Sequence, residues 1–241
     1  MFRPSILAVV VVAAVLPALV LAAPVTTPVP VAGAFETVES RGDFDVQVRE
    51  GSPASVEIVA EPGMAESIRV ELSGSALGLS RVTRFDSKKG GVVVVKVVLP
   101  VFRGLSVGGS GKGAAESGPT PRDVKLAVSG SGHLAWKGAA AALSLAVSGS
   151  GDLSSQGDAQ EASVQVSGSG DARLSGKGAT LKVALSGSGS VDAKAFAAKD
   201  ASVSISGSGD VSLRLAGGTL NARIAGSGNV TWAFKIGRAH V

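Results

Sequence analysis

The chain has 241 residues, a formal charge of +4, 33 glycines, and neither cysteine nor tyrosine. Without cysteine there are no disulfides, thiolate metal centres, cysteine nucleophiles or acylated lipoprotein cysteines. The cations are scattered, as at Lys125, Lys137, Lys182 and Arg214, without the clustering and interleaved aromatics of a nucleic-acid surface, so no nucleic-acid partner is expected.

Arg3, the apolar run from Ser5 to Leu16, the break at Pro17 and the small residues Ala22 and Ala23 predict a signal peptide over 1–22. Ser5 to Ala22 is just long enough to span a bilayer, so an uncleaved anchor is the alternative reading and the only membrane contact expected. Pro24, Pro28 and Pro30 predict an extended linker over 23–33. From 34 to 103 the pattern is strand-like. Phe44 to Val48 and Ser55 to Val59 alternate on either side of Glu50-Gly51-Ser52-Pro53 and read as a hairpin. Met64 to Ile68 reads as one helical turn, and Lys88 to Gly91 as a loop. Val92 to Leu99 reads as a strand buried on both faces.

From residue 104 the chain repeats itself. Ser-Gly-Ser-Gly begins at Ser129, Ser148, Ser167, Ser186 and Ser206, with degenerate copies at Gly108 and Ala225, so the successive steps are 21, 19, 19, 19, 20 and 19 residues. Within each copy the residues alternate, as strands do. Leu143, Leu145, Val147, Gly149, Gly151 and Leu153 share one phase, and Ser144, Ala146, Ser148, Ser150 and Asp152 share the other. A period near 19 is too short for a βαβ unit but suits one turn of a parallel β-helix, whose rungs stack about 4.8 Å apart around a shared core. The phase sets both glycines of each motif inward, which calls for a bend, a bulge or a close approach of another wall.

Stacking would align the outward residues in columns. Ser148, Ser167 and Ser206 fall in one, Ser150, Ser169 and Ser208 in the next, and Asp152, Asp171 and Asp210 in a third, which also holds His133, Ser190 and Asn229. These columns form the candidate surface, a ladder of short polar groups hydrogen-bonded along the stack. A calcium site fits poorly, because the aspartate column is interrupted and the nonapeptide calcium motif is absent; no metal or cofactor is expected. Flat ice-binding arrays favour threonine over the serine found here. One histidine in the body, with no nucleophile elbow, makes no catalytic triad. Trp136 and Trp232 occupy equivalent inward positions and read as plugs over the two ends of the stack.

Phe35-Glu36-Thr37-Val38, then Gly42 to Val48 with Glu50-Gly51, Val97 to Pro100, Leu105-Ser106-Val107 and the Ser-Gly-Ser-Gly-Asp rungs follow one another in an order that resembles the head GIN domain family of bacterial envelope proteins, grouped as auto-transporter adhesins. The resemblance covers about residues 34–234. It implies an all-β, right-handed parallel β-helix and an exported location, in the periplasm, on the outer membrane or outside the cell. It supplies no catalytic residues. The expectation is a single domain over 34–234, with N-terminal strands to 103 and rungs from 104, serving as a non-enzymatic adhesin-like or structural module. Its partner would be a polysaccharide or another envelope surface. The alternatives are a polysaccharide-binding or polysaccharide-degrading β-helix and a periplasmic sensor partner, while the oligomeric state stays open. Ile236 to Val241 breaks the repeat, and 235–241 is expected to be foreign to the native chain.

Overall fold

The computed structural model describes residues 23–82 and 91–234. The expected signal segment, most of the Lys88–Gly91 loop and the 235–241 tail lie outside the described residues. The alternation of the repeat has its physical counterpart in two strands per rung. One wall is built by β8 (Gly104–Gly109), β10 (Arg122–Gly130), β12 (Ala140–Gly149) and β14 (Ala159–Gly168). The other is built by β9 (Lys112–Glu116), β11 (His133–Lys137) and β13 (Asp152–Gln156). The long strands β15 (Asp171–Gly187) and β16 (Ser190–Gly207) bend to serve both walls, and β17 (Asp210–Leu215), β18 (Leu220–Gly226) and β19 (Asn229–Phe234) complete the stack. Neighbouring rungs pair in parallel, with Val147 opposite Val128 and Val166, and Leu153 opposite Leu134. The core is therefore columns of like apolar side chains, among them Val128, Val147, Val166, Leu185 and Ile205, all buried. The single 20-residue step is absorbed at Lys194, where the register slips between Arg173 and Ser175.

The front half joins this stack out of sequence order. Strands β2 (Thr37–Gly42) and β3 (Asp45–Glu50) form a rung that pairs in parallel with β8 and β9. On its far side lie β6 (Ala76–Arg81) and β7 (Val94–Leu99), also parallel. Beyond these come antiparallel strands. β5 (Ile68–Ser73) covers β6, and β4 (Ser55–Ala60) followed by β1 (Val25–Pro28) covers β7.

Three expectations change here, and a fourth, the helical turn, is met. The β3–β4 hairpin does not form, because β7 lies between them as their common neighbour. As the most apolar segment of the front half, β7 takes the inner place and leaves the less apolar β4 nearer the edge. β7 is itself buried on one face, with Val95, Val97 and Leu99 in the core and Lys96 exposed. Part of the 23–33 stretch is an edge strand rather than a free linker, a position proline tolerates because an edge leaves N–H groups unpaired. The expected helical turn is a short 3-10 turn at Ala65–Ser67.

The glycines also divide differently. Only the second of each motif lies inward. The first sits at an exposed or half-buried corner with positive φ, +113° at Gly149 and +116° at Gly168. At this corner Ser169 and Gly170 both donate backbone N–H bonds to the Gly149 carbonyl, at 2.9 and 3.0 Å. The corner of one rung thus rests on the backbone of the rung before. A Cβ on Gly149 would lie 2.6 Å from the Gly130 carbonyl oxygen, and one on Gly170 2.7 Å from Val147 Cγ1. The close approach is to the preceding rung, not the opposite wall.

Candidate functional site

The columns drawn from the repeat spacing are aligned in space. Ser148 pairs with Ser129 and Ser167, and Asp152 with His133 and Asp171. Ser148, Ser167 and Ser206 are exposed at the end of the first wall, and Ser150, Ser169 and Ser208 are exposed along the turn. The bonding along the stack comes from carboxylates more than from serine hydroxyls. Asp171 Oδ1 accepts the backbone N–H and the hydroxyl of Ser190, at 3.2 and 2.6 Å. Asp210 Oδ1 accepts the backbone N–H and side-chain amide of Asn229, at 3.1 and 3.0 Å. Asp45 does the same for the backbone N–H of Lys112, at 3.2 Å. Asp45, Asp171 and Asp210 thus fix the start of the next rung, and Asp152 Oδ2 lies 2.9 Å from Nδ1 of His133 in the preceding one. Among the described residues no group of three acidic, histidine or cysteine side chains is placed to hold a metal.

A parallel set of staples runs along the other corner. Asp200 Oδ1 accepts the backbone N–H and hydroxyl of Thr219, at 2.8 and 2.9 Å. The backbone N–H of Thr219, then its hydroxyl, holds the Asp200 carboxyl below its ordinary value; Lys199 adds slightly and burial opposes. A depressed carboxylate contributes its stability in full above the unfolded value of about 3.9, and loses it as pH falls through the lower folded value. Asp200→Asn is therefore expected to melt below the parent protein at neutral pH and together with it in strong acid. Thermal melts across that range check this, and a gap that persists in acid would remove the carboxylate as its cause.

The second wall carries a feature that the serine and aspartate columns do not show. The outward residues two positions after each member of the column that holds Asp152 and Asp171 stack as Gln47, Ala114, Ala135, Ser154, Arg173 and Asp192. Three small side chains in succession, Ala114, Ala135 and Ser154, make a trough floor between larger groups. Along one side stand Lys112, His133 and Asp152, and along the other Glu116, Lys137 and Gln156; Gln47 and Arg173 lie at its ends. The floor is shared by two shallow lobes of about 650 and 440 Å³. Three rungs at about 4.8 Å each make the small-residue floor roughly 10–15 Å long. The walls are mixed in sign and in hydrogen-bonding role. Glu116 lies 3.6 Å from Arg49, and Arg173 3.4 Å from Asp171, while among the described residues Lys112 and Lys137 have no carboxylate within 4 Å. Of the columns singled out in the sequence, the third borders this trough at His133 and Asp152, and the serines lie away from it. Writing the repeats as columns and following the drop in side-chain size at 114, 135 and 154 would have found it.

Residues 34–233 match the family described as "Putative auto-transporter adhesin, head GIN domain". The chain belongs to the head GIN domain family. The structure is similar in fold to several solved proteins. An adhesin-class protein from Parabacteroides merdae superposes with a TM-score of 0.75 at 16% identity, covering 88% of this chain and 96% of that one. One from Bacteroides fragilis gives 0.72 at 16% identity, covering 87% and 97%. A protein from Parabacteroides distasonis, titled a "Putative lipid binding protein", gives 0.70 at 18% identity, covering 88% and 97%. At such identities the likeness is one of fold. No curated protein matches the chain.

Proposed function

We propose that this head GIN domain is a non-enzymatic binding module of the bacterial envelope, and that its trough holds an extended polysaccharide chain. The observation that carries the reading is the trough itself, three rungs long, floored by Ala114, Ala135 and Ser154 and walled by both donors and acceptors. A sugar hydroxyl both donates and accepts hydrogen bonds, so it suits walls that set Lys112, Lys137 and Gln156 beside Glu116 and Asp152. A nucleic acid would call for a uniformly cationic groove, and these walls alternate in sign. The membership in a family described as adhesins supports a binding role and an exported location. The groove is shallow and open, which suits retention of a chain along its length better than enclosure of one bond for chemistry.

A glycan array probed with the domain lacking residues 1–22 tests this. Binding to at least one extended glycan is expected. Ala135→Trp, which fills the middle of the floor, should weaken it by roughly tenfold or more, about 1.4 kcal/mol. Ala146→Trp, at an exposed position on the other wall, should leave it unchanged. Glycan binding that is indifferent to Ala135→Trp would move the site elsewhere, and an array with no binder would overturn the reading.

A further inference from the structure

The trough continues past Gln47. Lys96 in β7 stacks on Gln47, and a third hollow of about 330 Å³ is lined by Lys96, Gln47 and Ala114. From β7 to β15 there are five steps between rungs, so at about 4.8 Å each the whole trough is roughly 24 Å long. Its three hollows hold six lysine and arginine side chains against four carboxylates. The carboxylates are all engaged. Glu116 lies 3.6 Å from Arg49, and Asp192 3.4 Å from Lys194. Asp152 meets His133, and Asp45 accepts the backbone N–H of Lys112. Three of the lysines are not engaged. Among the described residues no carboxylate lies within 4 Å of the ammonium of Lys96, Lys112 or Lys137, and Glu57, opposite Lys96 on β4, is beyond that distance. All three lysines are exposed, and each hollow has one of them. From β7 to β11 they cover about 14 Å of the trough's length.

We infer that the trough takes an acidic polysaccharide, a chain carrying carboxylate or sulfate groups at intervals, whose anions meet Lys96, Lys112 and Lys137. This rests on the polysaccharide reading of the trough and adds the charge of the ligand. An ammonium group has three donors and no acceptor, so it answers an anion better than the two-way bonding of a hydroxyl. The carboxylates that would repel an acidic chain are held by their own partners, and a neutral chain would leave three ammonium groups unmatched. One exposed ion pair contributes only a few-fold to affinity, so the preference comes from three such groups along an extended ligand. A nucleic acid shares the charge, but it needs aromatic faces for its bases, and the aromatic residue bordering the trough, Trp136, is buried.

Titrating the full chain with oligogalacturonate, its uncharged methyl ester, dextran sulfate and dextran tests this. Oligogalacturonate is expected to bind about tenfold or more tightly than its ester if carboxylate is the group read, and dextran sulfate than dextran if it is sulfate. The preference should shrink from about 0.1 to 1 M salt, as the Debye length falls from about 10 to 3 Å. Lys112→Gln with Lys137→Gln should weaken the acidic complex by roughly tenfold. Lys125→Gln with Lys182→Gln removes the same charge from exposed positions on the first wall and should not. Equal losses in the two double variants would mean that net charge alone is read, and would overturn the inference. So would a single-stranded oligonucleotide bound as tightly as the acidic chain, or no binding to either acidic chain. Charged and uncharged chains bound alike, and both lost in Ala135→Trp, would keep the polysaccharide site and overturn only its acidic preference. Binding to none of the four, with a blank glycan array, would overturn both.

Discussion

Gly168→Val and Gly170→Val are each expected to cost on the order of 3 kcal/mol or more, while Ser167→Val and Ser169→Val stay within about 0.5 kcal/mol. The two glycines fail for different reasons. Gly168 holds φ at +116°, a conformation that L side chains rarely adopt, and a Cβ there would run into the backbone of Gly149. Gly170 is buried, and its Cβ would meet the Gly151 carbonyl oxygen and Val147 Cγ1. In both cases backbone of the preceding rung stands in the way, held at Gly149 by the Ser169 and Gly170 N–H bonds and at Gly151 by that of Asp171, so relaxation would have to spread along the stack. Ser167 and Ser169 are exposed, and their side chains meet none of these constraints. Denaturant melts of the four variants check the ordering. Serine variants as unstable as the glycine ones would refute the corner geometry.

Trp136→Ala is expected to cost about 3–5 kcal/mol, the range for emptying a buried aromatic site, and Trp232→Ala less than about 1 kcal/mol. The two tryptophans occupy the same column of the repeat, yet Trp136 is 2% exposed and Trp232 51%. Trp136 is not at an end of the stack. The rungs of β9, β3 and β7 lie beyond it, and β13 lies on its other side, so its indole has neighbours above and below. Trp232 stacks on Leu213, and among the described residues no strand pairs on its other side. Equal losses would mean that the C-terminal rung is covered.

The rungs were legible because the repeat imposes them. A motif returning every 19 residues can bury its apolar phase only by stacking, and stacking at that period aligns Ser148 with Ser167 and Asp152 with Asp171 without further information. The front half was not legible by the same route. Its rung corner, Gly42-Asp43-Phe44-Asp45, keeps only the first glycine and the aspartate of Gly149-Ser150-Gly151-Asp152, and Phe44 fills the place of the inward glycine. Gly42 nonetheless plays the corner role, its carbonyl accepting the N–H groups of Ser110 and Gly111 at 3.2 and 3.1 Å.

The sequence alone determined the strand phase, the period, the columns and the family, since each follows from local alternation and from self-similarity along the chain. Only the tertiary structure decided which strands became neighbours in the front half. Alternation tells which side of β3 is apolar, but not whether β4 or β7 will lie beside it, a choice made by the competition of both for one edge. It also decided what the outward columns amount to. The trough exists because Ala114, Ala135 and Ser154, far apart along the chain, fall in register between taller neighbours. Burial depends on what stacks on each side of a rung, and among the described residues one apolar pattern is therefore core at Leu213 and exposed at Trp232.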